Sequence, residues 1–185
     1  MVTIEYGGIR MWGLDYNQKQ EDILIERFAR YMKTNRICHF EELSNCVPDI
    51  FYKSVTNEDY ANYANDTVAT TRAAAELPDG TLFIINVRRA GIVGTDNCPI
   101  QLYIDLNGKA EPNKIGDDFF YFFITWDNKL VPAGQRKDME ALQNYFESAC
   151  LNGSGIGCTN WVIEKGNRDY LRCKDLSYLG KFSCD

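Results

Sequence analysis

Between Asn17 and Thr34 the apolar residues Leu24, Phe28, Tyr31 and Met32 recur at helical spacing, leaving Asp22, Glu26, Arg27 and Arg30 for a wet face. The pattern predicts an amphipathic helix. Ahead of it, Met1 to Asp15 shows no clear period. Residues 35–65 read as loop, with turn chemistry at Cys46-Val47-Pro48-Asp49. A second helical stretch is predicted over Asn65–Glu76. The period then shortens to two. Thr81–Val87, Ile100–Asp105 and Phe119–Trp126 are rich in β-formers and read as strands. Pro78-Asp79-Gly80 turns into the first of them, and Asp127-Asn128-Lys129 turns out of the third. Met139, Leu142, Phe146 and Ala149 mark the inner face of a helix over Asp138–Cys150. Beyond the loop Asn152–Gly157, the segment Asn160–Glu164 reads as a fourth strand, turning at Gly166-Asn167 into Tyr170–Cys173. No repeat or linker interrupts this order, so residues 1–185 read as a single α+β domain. It pairs an N-terminal helical region with a mainly antiparallel sheet of about four strands and disulfide-stapled loops.

Composition narrows the functional classes. The chain has 185 residues, enough for one proper core, and 45% of them are apolar, which excludes wholesale disorder. A net charge of −6 disfavours a non-specific grip on nucleic acid or an anionic membrane. Arg88-Arg89 and Arg136-Lys137 are too short to make a basic stripe. No run approaches the roughly 18 apolar residues of a membrane helix, and the start does not read as a signal peptide. His39 is the only histidine, which removes most imidazole-dependent mechanisms.

Seven cysteines, at 38, 46, 98, 150, 158, 173 and 184, form no C-x-x-C pair and no zinc-finger spacing. With three disulfides one thiol is left over, and the connectivity stays open. Two short loops stand out: Cys38 to Cys46, and Cys158 to Cys173 around the expected hairpin. This usage points to an exported protein.

Three motifs invite chemistry. Gly153-Ser154-Gly155-Ile156-Gly157 looks like a nucleotide loop, but Cys158 stands where a third glycine belongs and no Gly-Lys-Ser/Thr follows. It reads instead as a flexible loop that brings Cys158 to a partner. His39 beside Cys38 reads as a surface histidine next to a disulfide, because neighbours on an extended chain point to opposite sides. The third is the stretch Asp105–Asp118, where Asn107-Gly108 signals a tight turn. Asp105, Asn107, Asp117 and Asp118 there are candidate hard-oxygen ligands for calcium. The alternative is that these side chains cap turns through Asx hydrogen bonds. No pair of carboxylates is placed for glycosidase chemistry, no catalytic residue is assigned, and the chain is not read as an enzyme.

The order Leu77-Pro78-Asp79-Gly80-Thr81, Cys98, Ile104-Asp105-Leu106-Asn107-Gly108, Pro112-Asn113 and Gly116-Asp117-Asp118-Phe119 resembles the globular part of type IV pilin-like and type II secretion pseudopilin-like bacterial proteins. The likeness continues through Leu130-Val131-Pro132-Ala133-Gly134, Gly157-Cys158-Thr159-Asn160-Trp161-Val162-Ile163 and Asn167-Arg168-Asp169-Tyr170-Leu171-Arg172-Cys173. Upstream, Arg27 to Lys33, Cys38, Cys46 and Tyr52-Lys53 also fit, so it spans roughly residues 20–175. The resemblance implies a subunit that is anchored in the inner membrane by a long N-terminal helix before assembly. Its head would then work outside the cytoplasm or in the periplasm. The apolar, glutamate-bearing start of that helix is not found before Met1, so Asn17–Thr34 is expected to follow it. Implied partners are other pilin or pseudopilin subunits, with adhesion to a surface protein or glycan. Some pseudopilins bind calcium in a loop near the end of the sheet, which adds interest to Asp105–Asp118. The rival reading is a secreted binding module that uses the fold without polymerising.

Overall fold

The computed structural model describes residues 20–65, 72–87 and 100–185. It is α+β, and its centre is a six-stranded, wholly antiparallel sheet. In chain order the elements are α1 (Gln20–Ala29), β1 (Arg36–Cys38), a 3-10 turn (Phe40–Asn45), β2 (Tyr52–Lys53) and β3 (Asp59–Ala61). Then come β4 (Ala73–Glu76), β5 (Leu82–Val87), β6 (Ile100–Asp105), β7 (Phe119–Ile124) and β8 (Leu130–Pro132). The C-terminal part holds α2 (Met139–Phe146), extended by a π turn over Glu147–Leu151, then α3 (Cys158–Lys165) and a 3-10 turn, Asp169–Leu171. The sheet order is β1-β4-β5-β6-β7-β8, and β2 and β3 form a separate hairpin.

Alternation along the central strands explains why both faces are covered. Leu82, Ile84, Tyr103, Phe119 and Tyr121 point to one side, where Cys38, Leu43, Val47, Tyr52 and Tyr63 lie over them. Ile85, Val87, Ile100, Leu102 and Ile124 point to the other, against Leu24 and Ile25 of α1. A third cluster is built around Phe146 and Trp161, whose rings stack 4.3 Å apart, and includes Tyr170, Leu176 and Tyr178. Two predicted turns close hairpins. Gly80 (φ 90°) ends the β4–β5 turn, and Asn128 (φ 63°) sits in the β7–β8 turn, both in the left-handed region.

Several expectations need correction. Of the predicted strands, β5, β6 and β7 lie where the alternation puts them, while the sheet gains β1, β4 and β8, so it has six strands rather than about four. The helix expected over Asn65–Glu76 is contradicted at its described end, where Ala73–Glu76 is β4. Alanine favours a helix in isolation. Here Ala73, Ala74 and Ala75 are fully buried between β1 and β5, where their small side chains let α1 and the 3-10 turn approach. Residues 66–71 of that expectation lie outside the described residues.

The expected fourth strand, Asn160–Glu164, is the body of α3. Its β-branched residues suit a strand, but the helix sets Trp161 on the Phe146 ring and brings the Thr159 hydroxyl to the Tyr121 N–H of β7. Gly166 (φ 69°) closes the helix through its N–H to the Val162 carbonyl. Tyr170–Cys173 is accordingly no strand, and the 3-10 turn runs through it.

Candidate functional site

The Asp105–Asp118 stretch links β6 to β7 and folds as a compact corner at the end of the sheet. Asp105, the last residue of β6, is fully buried. One carboxylate oxygen accepts the main-chain N–H groups of Asn107 (3.2 Å) and Gly108 (2.9 Å). The other accepts the Tyr52 hydroxyl proton at 2.7 Å. Asp118, just before β7, accepts the N–H groups of Asn113 (2.8 Å) and Lys114 (2.6 Å). The two loop ends are tied by the Leu106 N–H, which donates to the Asp118 carbonyl at 2.9 Å.

The sequence supplies the turn residues this path needs. Gly108 takes φ 61° where a Cβ would collide with the Gly80 carbonyl, and Asn113 takes φ 51° after Pro112.

Of the four candidate calcium ligands, the structure brings three together. Asp105, Asn107 and Asp118 share the corner: Asn107 donates its amide N–H to the Glu111 carbonyl at 2.9 Å and favours the charged form of Asp118, and the Asp118 charge helps to raise the pKa of Asp105. Asp117 turns away and pairs with Arg168 at 2.6 Å. Burial pushes the Asp105 carboxyl up to about 6 against the pull of its hydrogen bonds, and it raises Asp118 as well. The charge of this pair is met by main-chain N–H groups. Lys109 and Lys114 spend their ammonium groups on Asn45 and Asn57 instead. The Oδ1 atoms of Asn107 and Asn113 are buried without a hydrogen-bond partner. Among the described residues, no three His, Cys, Asp or Glu side chains form a metal-holding group.

Tyr52 and Asn113 belong to this corner and were not singled out as site residues. Tyr52 lies 53 positions from Asp105, so no local spacing points to it. The Pro112-Asn113 dipeptide is the one signal that marks Asn113 as a left-handed turn residue.

Elsewhere too, buried side-chain oxygens take main-chain protons from distant segments. Thr159 accepts the Tyr121 N–H, Gln143 that of Tyr178, and Glu21 that of Val87. Tyr170 donates its hydroxyl to the Gly116 carbonyl. His39 sits at the surface 3.0 Å from Glu26, beside the disulfide of Cys38.

Three disulfides close short loops: Cys38–Cys46, Cys150–Cys158 and Cys173–Cys184. The first is a pair singled out from the sequence. The Cys158–Cys173 loop is contradicted, because α3 replaces the hairpin that would have brought its ends together. The glycine loop instead returns Cys158 to Cys150, with Gly155 and Gly157 both donating to the Ala149 carbonyl. Cys98 lies outside the described residues. Three disulfides fit an oxidising compartment, extracellular or periplasmic. Among the described residues, no helix is long and apolar enough to cross a membrane. No protein-family model, curated protein or solved structure matches the chain.

Proposed function

We propose that the chain is the head domain of a pilin-like subunit of a bacterial type IV filament or type II secretion pseudopilus, working by assembly and surface recognition rather than by bond chemistry. The observation that carries this reading is how the buried polar side chains are used. Asp105, Asp118, Thr159, Gln143 and Glu21 each hold a main-chain N–H of a neighbouring or distant segment, and three disulfides fasten the loops between them. Such a construction presents surface loops rigidly. The ordered likeness of residues 20–175 to pilin-like heads points the same way.

Calcium belongs to this reading as a ligand of the Asp105–Asp118 corner. Its buried carboxylate pair takes its hydrogen bonds from main-chain N–H groups and the Tyr52 hydroxyl, and among the described residues two amide oxygens there lack a donor. Calcium prefers oxygen ligands of this kind. Asp117, held by Arg168, is left out of the set.

The coding sequence upstream of Met1 tests the proposal. A leader followed by an apolar helix of about 20 residues with an early glutamate is the expected result. A plain secretory signal peptide would favour the second reading, a binding module that does not polymerise. Exposed aromatics around the β2–β3 hairpin, Phe51 at 55% and Tyr60 at 44%, speak for that alternative.

A further inference from the structure

β1 and β8 are the two edges of the sheet. The β8 edge carries a short basic segment, while the chain that leaves β1 carries an acidic one and crosses the sheet face to Tyr52, which packs on Phe119 of β7. Residues 129–137 contain Lys129, Arg136 and Lys137 and no carboxylate, in a chain whose net charge is −6. They line a shallow groove of about 730 Å³ floored by Leu130, Val131 and Pro132. Lys129 is partnered by Asp127, while Arg136 lies over the Tyr145 ring at 3.7 Å and, like Lys137, stays exposed. Leu130 is 56% exposed at the groove floor.

Residues 40–51 have the opposite character. They contain Glu41, Glu42 and Asp49, all exposed, and no lysine or arginine. Their apolar side chains Phe40, Ile50 and Phe51 are 39%, 40% and 55% exposed. The segment begins in the 3-10 turn that packs on β1 and β4, and the Cys38–Cys46 disulfide pins it. The nearby cations Arg36 and Lys109 both turn onto the Asn45 carbonyl. Strand addition at β8 is blocked, since Pro132 has no N–H and its carbonyl takes the Gln135 N–H. The groove therefore takes side chains.

We propose that the groove of residues 129–137 on one copy receives the acidic, apolar segment 40–51 of a second copy, joining two different surfaces of the chain head to tail. This deepens the assembly reading and rests on it. A contact between two different surfaces of one chain does not close on itself unless its rotation happens to, so it propagates into an open array.

Sedimentation equilibrium of the purified chain at low salt tests it. Average mass should rise above 21.2 kDa with concentration and fall back as salt is added. Arg136→Glu/Lys137→Glu and Glu41→Lys/Glu42→Lys should each weaken association at least ten-fold. An equimolar mixture of the two variants keeps one intact groove and one intact segment and sets opposite charges against each other at the reversed pair, so its average mass should exceed that of either variant alone. A strictly monomeric wild type, association that ignores both reversals, or a mixture that stays monomeric would overturn the contact. The filament reading is judged separately, by the coding sequence upstream of Met1.

Discussion

Asp105 is withdrawn from water completely, and that burial lifts its pKa to about 6 from an ordinary value of 3.8. The sign of the consequence follows from linkage. A carboxyl whose folded pKa exceeds its unfolded one binds its proton more tightly in the fold, so its contribution is greatest below about pH 4 and is lost as pH rises through 6. Ionised Asp105 then costs up to roughly 3 kcal/mol at neutral pH. Asp118 is raised in the same direction. In a chelating buffer, the melting temperature of the wild type should therefore fall between pH 4 and pH 7. Asp105→Asn should flatten most of that slope, because the amide oxygen still accepts the Asn107 and Gly108 N–H groups. Calcium should restore stability at pH 7 and do little at pH 4, where Asp105 is protonated. A melting curve that calcium leaves unmoved at pH 7 would remove the metal from the account. Gly155 is the other decisive residue. Its φ of 96° and the Ile115 carbonyl, 2.4 Å from where a Cβ would stand, leave no room for a side chain, so Gly155→Ala should cost about 2 kcal/mol or more in chemical denaturation.

Among the elements, those whose apolar spacing carries the burial were readable in the sequence. Leu24 and Phe28 mark the inner face of α1, and alternation places β5, β6 and β7. The misread elements are those in which local preference and tertiary packing disagree. β4 is a run of alanines that becomes a strand because two neighbours pair with it. α3 is β-branched and becomes a helix because Trp161 stacks on Phe146 and Cys158 bonds to Cys150. The candidate corner was legible through Asp105, Asn107 and Asp118, whose turn chemistry is local. Tyr52 and the Arg168 partner of Asp117 were not, since they come from 53 and 51 positions away. The Cys150–Cys158 bond closes a loop of about nine residues, which in the chain-entropy picture stabilises by roughly 2.5 kcal/mol. Serine at both positions should lower stability by about that amount and weaken the near-ultraviolet dichroism of Trp161. An unchanged spectrum and midpoint would mean that packing alone holds α3.

For the molecule as a whole, the three disulfides among the described residues use six of the seven cysteines. Protein made under oxidising conditions should react with one equivalent of thiol reagent after denaturation, and seven equivalents would contradict the exported reading. The sheet has its core aromatics buried, its chemistry-bearing carboxyls committed to loops, and opposite charge on two separate surface segments, 129–137 and 40–51. That arrangement suits a unit stacked with copies of itself. Immunogold electron microscopy of the surface fraction from cells that make the protein asks directly whether it is used so. Antibody against the chain should decorate filaments at regular intervals along their length. Label confined to free soluble protein, with filaments bare, would contradict assembly as its function.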